Sequence, residues 1–172
     1  MFDSTPGSPT SNSYVTLQEA SAYFLLRQNA DFWLTSMEQQ QLLVTATRQL
    51  EWSFNWLGAK TDPNQALHFP ATGVYDRNGV LFPDNIIPEP IIHAVCEVVL
   101  VAKDTDLLEM NPMDGFTELR IDTLVLKTNK NNTTARGSFP DHIWDILSGL
   151  YKQGQGVSVF NVSKPPDLVT GT

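Results

Sequence analysis

Asn12-Ser-Tyr-Val-Thr-Leu-Gln-Glu-Ala20, the run from Ser36 to Gly58, and Lys60-Thr-Asp-Pro-Asn-Gln-Ala-Leu-His-Phe-Pro70 form the stretch whose reading decides the fold. Thr16-Leu-Gln-Glu19 is a capping-box pattern, in which the Thr16 hydroxyl takes an orphan backbone N–H and Glu19 reaches back. It opens a helix over about 17–28, with Leu17, Ala20, Tyr23, Phe24 and Arg27 at helical spacing. Asn29 to Thr35 breaks the pattern and holds Phe32 and Trp33. Ser36-Met-Glu-Gln39 is a second box, opening the longest helix, about 37–57. Leu43, Ala46, Leu50, Phe54 and Leu57 make its apolar stripe, Trp52 and Trp56 widen that stripe, and Gly58 stands at a left-handed cap.

Working outward, residues 59–90 lose all regular period. Five prolines and the turn Asp76-Arg-Asn-Gly79 mark a long ordered loop or short hairpin. Its apolar members, among them Leu67, Phe69, Val74 and Phe82, favour packing, and Asp62, Pro63, Leu67, His68, Phe69 and Pro70 are its packing candidates. Pro88-Glu-Pro-Ile91 then opens a third helix to about Glu109, with Ile91, Ile92, Val95, Val98, Val99 and Ala102 on its buried side. Residues 118–127 alternate as a strand with a bulge near Asp122-Thr123, and 129–137 form a polar loop. Pro140 starts a short helix to about Tyr151, and 157–162 alternate as a strand without a local partner. The expected fold is mainly α: a small bundle of three to four helices with a long ordered loop, a short β strand or hairpin element and extended termini. Its parts are a flexible arm at 1–13, a helical domain at 14–152 with a β element near 117–137, and an extended arm at 153–172.

The composition narrows the function. A chain of 172 residues suits one domain with tails, and no apolar run reaches the ~18 residues of a membrane span. The amino terminus lacks the basic and apolar regions of a signal peptide, which points to cytosolic synthesis. Cys96 is the single cysteine and lies on an apolar helix face, where burial makes a thiol inert. His68, His93 and His142 show no metal-ligand spacing, so no metal or cofactor is expected. The many carboxylates read as a solvated face, and no nucleophile, base and orienting group stand out, so no enzyme is expected. A net charge of −8 argues against a dedicated nucleic-acid binder, because general affinity for phosphates relies on Lys and Arg. All four tryptophans fall at or near core stripes, and the loose basic cluster Lys127, Lys130 and Arg136 lies in an exposed loop.

Four segments carry a family resemblance: Asn12 to Ala20, Ala46-Thr-Arg-Gln-Leu-Glu-Trp52, Lys60 to Pro70, and Ile86-Ile-Pro-Glu-Pro-Ile-Ile-His-Ala-Val-Cys-Glu97. They resemble a phage family labelled DnaT-like single-stranded-DNA-binding protein, and the chain also looks like the head–tail connector, or adaptor, of tailed phages. The resemblance is close over about 12–110 and looser over 117–172. The connector likeness implies a dodecameric ring of this chain under a portal protein, with a downstream tail or nozzle protein below it and double-stranded DNA passing without specific recognition. It places the chain at the virion neck, assembled in the host cytoplasm, with no membrane partner. The partner-contact candidates are then Lys127, Lys130 and Arg136 in the polar loop, with Val157, Val159, Phe160, Val162, Pro165 and Pro166 in the terminal arm. A lone strand there can add to a neighbour's sheet. The other label implies a replication module that binds single strands, weakened by neutralising Lys127, Lys130 and Arg136. The bulk charge and the inward placement of the tryptophans favour the connector.

Overall fold

Helix α1 (Leu17–Leu25) begins where its box predicts: Thr16 Oγ1 accepts the Glu19 N–H at 3.1 Å, and Glu19 Oε2 accepts the Thr16 N–H at 2.8 Å. The computed structural model describes residues 1–35, 37–103, 118–121, 124–127 and 139–152. The helix stops at Leu25, short of the expected 28, and Asn29 turns the chain with a φ of 61°. A short helix α2 (Asp31–Thr35) then occupies the expected break. Helix α3 (Gln39–Ser53) begins after Glu38, an N-cap that makes no side-chain capping bond, and Ser36 of the expected box lies outside the described residues. Gln39 donates its side-chain amide to the Trp33 carbonyl at 2.6 Å, joining α2 to α3.

The end of α3 also differs from the expectation. Phe54 turns extended, with φ −116° and ψ 133°, so the helix ends four residues before Leu57. That turn swings Phe54 into an aromatic cluster, with ring centroids 4.5 Å from Trp144, 5.0 Å from Tyr151 and 5.1 Å from Trp56. Such ring contacts add about 0.5–1.5 kcal/mol each beyond the area they bury. The same region is closed by backbone bonds from Leu57 N to Leu150 O (2.9 Å) and Lys152 N to Asn55 O (2.7 Å). Helix α5 (Asp141–Ile146) thereby docks on the segment that follows α3, with Ile143, Leu147 and Leu150 buried.

Helix α4 (Glu89–Ala102) is the central element, packing against α1, α3 and α5. Ile91, Ala94, Val95, Cys96, Val98 and Val99 are all buried, which spans more than one face and fits a helix enclosed by neighbours. Leu43, Ala46 and Leu50 of α3 meet it, as does the α1 pair Ala20 and Phe24 through the shared core.

The β structure is small. Strands β1 (Ala59–Lys60) and β2 (Ala71–Thr72) pair antiparallel and close the 61–70 loop. Gly58, expected as a helix cap, lies beyond the helix and serves this closure: its φ of 80° lets the backbone pass where a Cβ would sit 2.5 Å from Thr72 O. The expected bulged strand at 118–127 is a hairpin, β3 (Glu118–Ile121) against β4 (Leu124–Lys127), with Ile121 opposite Leu124. Among the described residues the architecture is a mainly helical small domain of five helices with two two-stranded antiparallel ladders. The expectations for 104–117, 128–138 and 153–172 lie outside the described residues.

Candidate functional site

Two readings of the sequence change once side chains are placed. Trp52 was expected on the core face of α3, yet it is 73% exposed. The reason is angular: at about 100° per residue, position 52 falls half a turn round from Leu43, and the helix ends before Trp56, so the two tryptophans share no face. The second change concerns residues 1–13, expected as a flexible arm. Asp3 holds them in a knot, accepting from Thr5 N (2.9 Å), Ser8 Oγ (3.0 Å) and Thr10 Oγ1 (2.7 Å). These bonds, led by the Thr10 hydroxyl, hold the Asp3 carboxyl well below the usual carboxylate range. Ala66 N donates to Ser8 O at 3.1 Å, which fixes the knot to the 61–70 loop.

Folding the terminus back creates a groove against α3. It has a volume of about 420 Å³ and is walled by Phe2 and Asn12 on one side and Gln40, Gln41, Val44, Thr45 and Arg48 on the other. Asn12 Nδ2 donates to Met1 O at 2.8 Å and braces the rim. Gln41, Thr45, Arg48 and Trp52 lie within about 60° of one another on the helical wheel, so they form one outward stripe. None of the described residues lining the groove carries a carboxylate, although the whole chain has 19 acidic residues against 11 basic. Amides, a hydroxyl and a guanidinium beside two aromatic rings can hydrogen-bond base edges, pair with a phosphate and stack on a base.

A second cleft lies elsewhere on the molecule. The turn at 76–79 is tight: Asp76 Oδ1 accepts the N–H groups of Asn78 (2.8 Å) and Val80 (2.7 Å), and Asp76 N donates to Val80 O (2.8 Å). The Val80 N–H bond in particular lowers the Asp76 carboxyl from its ordinary value. This hairpin stands over a cleft of about 330 Å³ whose far walls are His93 of α4 and Ile146, Ser148 and Leu150 at the end of α5. Tyr75, 53% exposed, and Arg77 line its near side.

Helix α4 also carries a buried charge. Glu97 of α4 is only 4% exposed and accepts from Arg27 Nε at 2.7 Å, Arg27 Nη2 at 3.1 Å and the Tyr23 hydroxyl, with His142 Nε2 at 3.2 Å. The sequence reading placed Glu97 among solvated carboxylates, and its burial corrects that. Burial pushes the carboxyl up, but the Arg27 and Tyr23 hydrogen bonds and the Arg27 charge outweigh it and leave it below its ordinary value. Burial pushes the Cys96 thiol up to about 12.

The sequence candidates in the 59–72 segment form one bonded unit. Phe69 and Pro70 are buried, Leu67 and His68 are half-buried, and Asp62 and Pro63 are exposed. The Gln65 amide nitrogen donates to the carbonyls of Leu67 (2.9 Å), His68 (2.8 Å) and Pro70 (2.9 Å). His68 Nε2 contacts Leu57 O at 2.9 Å, while Tyr14 and Glu51 take the His68 and Phe69 N–H groups. Of the partner-contact candidates, Lys127 ends β4, where only the backbone is described. Lys130, Arg136, Val157, Val159, Phe160, Val162, Pro165 and Pro166 lie outside the described residues. Sequence reasoning missed Arg48, Trp52, Tyr75 and Arg77. The first two were legible from the wheel angle alone, the others only once the hairpin had been folded over α4 and α5.

A family model described as "Putative DnaT-like ssDNA binding protein" matches residues 2–164. No curated protein and no solved structure matches the chain. The family description overturns the expectation of a head-to-tail connector, and with it the ring, portal, nozzle and double-stranded-DNA partners. Trp52 is exposed, so the tryptophans do not all face inward. Residues 1–13 are knotted onto the body and do not project as an arm. A match over almost the whole sequence makes this chain a member of the DnaT-like single-stranded-DNA-binding family.

Proposed function

We propose that the protein is a non-enzymatic binder of single-stranded DNA and that the outward face of α3 is its interface. The observation that carries this reading is the pairing of exposed Trp52 with Arg48 one turn away, beside a groove whose described lining lacks carboxylates. Trp52 supplies a stacking surface for an unpaired base, worth about 1–3 kcal/mol. Arg48 supplies a cation for the adjoining phosphate, and Gln41 and Thr45 offer hydrogen bonds that any base can use. A chain of net charge −8 repels a polyanion at long range, so affinity rests on stacking and short contacts. The family description supports the same ligand.

Fluorescence anisotropy with a labelled oligothymidylate at low salt tests the reading. Wild type should bind, and Trp52→Ala should weaken binding by roughly 5- to 150-fold, the equivalent of the stacking term. Equal affinity of wild type and Trp52→Ala, or no binding by wild type at low salt, would remove it.

A further inference from the structure

We infer that the cleft under the 75–82 hairpin is a second subsite that takes one nucleotide of the same single strand, base inward. The inference rests on the single-strand reading above but concerns a separate surface. Its floor is apolar, built from Ile146 and Leu150 of the α5 end, and Tyr75 forms a wall with an exposed ring. At about 330 Å³ it lies at the small end of ligand clefts, which suits a single base. Flat apolar surfaces beside an aromatic ring are what a base offers and needs, since every base has a π-face.

The polar groups at the rim match the rest of a nucleotide. Arg77 is an exposed guanidinium on the turn, suited to a phosphate in a planar two-pronged contact. Asn78 and His93 line the same cleft with hydrogen-bonding groups, held only by long contacts, Asn78 Nδ2 to Asp76 Oδ2 at 3.4 Å and His93 Nε2 to Glu89 Oε1 at 3.5 Å, which a base edge would have to displace or share. Asp76 also lines the cleft and keeps its negative charge: Oδ1 accepts the turn's own N–H groups and Oδ2 only a long contact from Asn78 Nδ2 at 3.4 Å, so the phosphate belongs on the Arg77 side of the rim. Those bonds, with the Asp76 N to Val80 O bond, also fix the turn before any ligand arrives. The backbone that carries Tyr75 and Arg77 is therefore fixed in advance, and only their exposed side chains lose ordering entropy when a base enters.

Two measurements on the full chain test the inference and separate it from the α3 reading. The first is a two-dimensional amide NMR titration with thymidine 5′-monophosphate. Shifts at Tyr75, Asn78, His93 and Ser148 support the subsite, whereas shifts confined to the α3 face overturn it. The second is anisotropy with labelled oligothymidylate for Tyr75→Ala and Arg77→Gln beside Trp52→Ala. Tyr75→Ala should weaken binding about tenfold, and Arg77→Gln should reduce the slope of log K against log salt by about 0.7, one phosphate contact on a single strand. If both variants bind like wild type while Trp52→Ala is weakened, the subsite is overturned and the α3 interface stands. If wild type binds no oligonucleotide, both are overturned. Tyr75 and Arg77 are exposed, so an unchanged thermal midpoint shows that any loss belongs to the surface.

Discussion

Arg27 and Glu97 lie seventy residues apart in the chain and meet as a two-pronged ion pair, Nε to Oε1 at 2.7 Å and Nη2 to Oε2 at 3.1 Å. The pair joins the residues just after α1 to the centre of α4, and the Tyr23 hydroxyl and His142 complete the shell. The Arg27 side chain keeps 40% exposure while the Glu97 side chain keeps 6%, so the carboxylate carries most of the desolvation penalty.

Removing the cation should therefore be costly. Arg27→Met leaves a buried carboxylate without its main partner, and the expected loss is about 3 kcal/mol, at the low end for such pairs because Arg27 is partly exposed. Combining it with Glu97→Leu should recover most of that loss, since the isolated charge disappears with it. Urea unfolding of the three proteins checks the order. A double variant less stable than Arg27→Met alone would contradict this account.

The same pair sets an acid dependence. In the folded state the Glu97 carboxyl lies below its ordinary value of 4.5, so near that pH the unfolded chain binds more protons. Its contribution is present above the ordinary value and is lost as pH falls through the lowered one. The stability difference between wild type and Glu97→Gln should shrink as pH is taken from about 6 to about 3. Asp3 and Asp76 act in the same direction in both proteins and cancel in that difference.

Gly58 and Gly73 separate backbone strain from collision. Both have positive φ, 80° and 74°, but a Cβ at Gly58 would meet Thr72 O and Val74 Cγ2 at 2.5 Å, while at Gly73 it meets nothing within 4 Å. Gly73→Ala should lose about 1 kcal/mol, the strain of the left-handed region alone. Gly58→Ala should lose about 3 kcal/mol or more, because strain and collision add. Thermal melts of the two variants decide whether the β1–β2 closure is as tight as its geometry requires.

The two buried glutamines make opposite predictions. Gln65 donates to three carbonyls of its loop, so Gln65→Ala strips several bonds at once and should lose about 2–3 kcal/mol. Gln49 on α3 is equally buried, yet its amide has no hydrogen-bond partner among the described residues. Gln49→Leu should be neutral or stabilising by about 1 kcal/mol, because an unsatisfied polar group is replaced by an apolar one of similar size. Denaturant midpoints distinguish the two directions.

Arg48 should show itself through salt. If it meets one phosphate, Arg48→Gln lowers the slope of log K against log salt by about 0.7 while leaving the stacking contribution in place. A slope unchanged by the substitution would show that the guanidinium lies off the path of the strand.

Local patterns were legible in the sequence wherever the physics is local. The Thr16–Glu19 box, the inward faces of α4 and α5, and the Asp76–Gly79 turn all follow from neighbours within four residues. The start of α3 was placed too early: its N-cap is Glu38, and the Gln39 amide donates to the Trp33 carbonyl, which α2 offers from outside the local pattern. Phe54 left the helix because rings of α5 and its flanks, about ninety residues later, attract it more than one further turn would. Glu97 was misread for a related reason: a carboxylate on an apolar helix face is buried only if a cation arrives from elsewhere, and no local pattern announces Arg27. The outward stripe of α3 was within reach of the wheel, and the assumption that every tryptophan seeks the core hid it. The hairpin cleft was not within reach, since its walls come from three separated segments.

The Asp3 knot has a practical bearing on how the protein should be handled. Because Met1 and Phe2 form part of the groove rim against α3, an affinity handle fused ahead of Met1 would emerge at that rim and crowd it. Binding assays made with such a fusion would then report the handle's obstruction, and purification through the opposite end of the polypeptide, or removal of the handle beforehand, keeps the surface open.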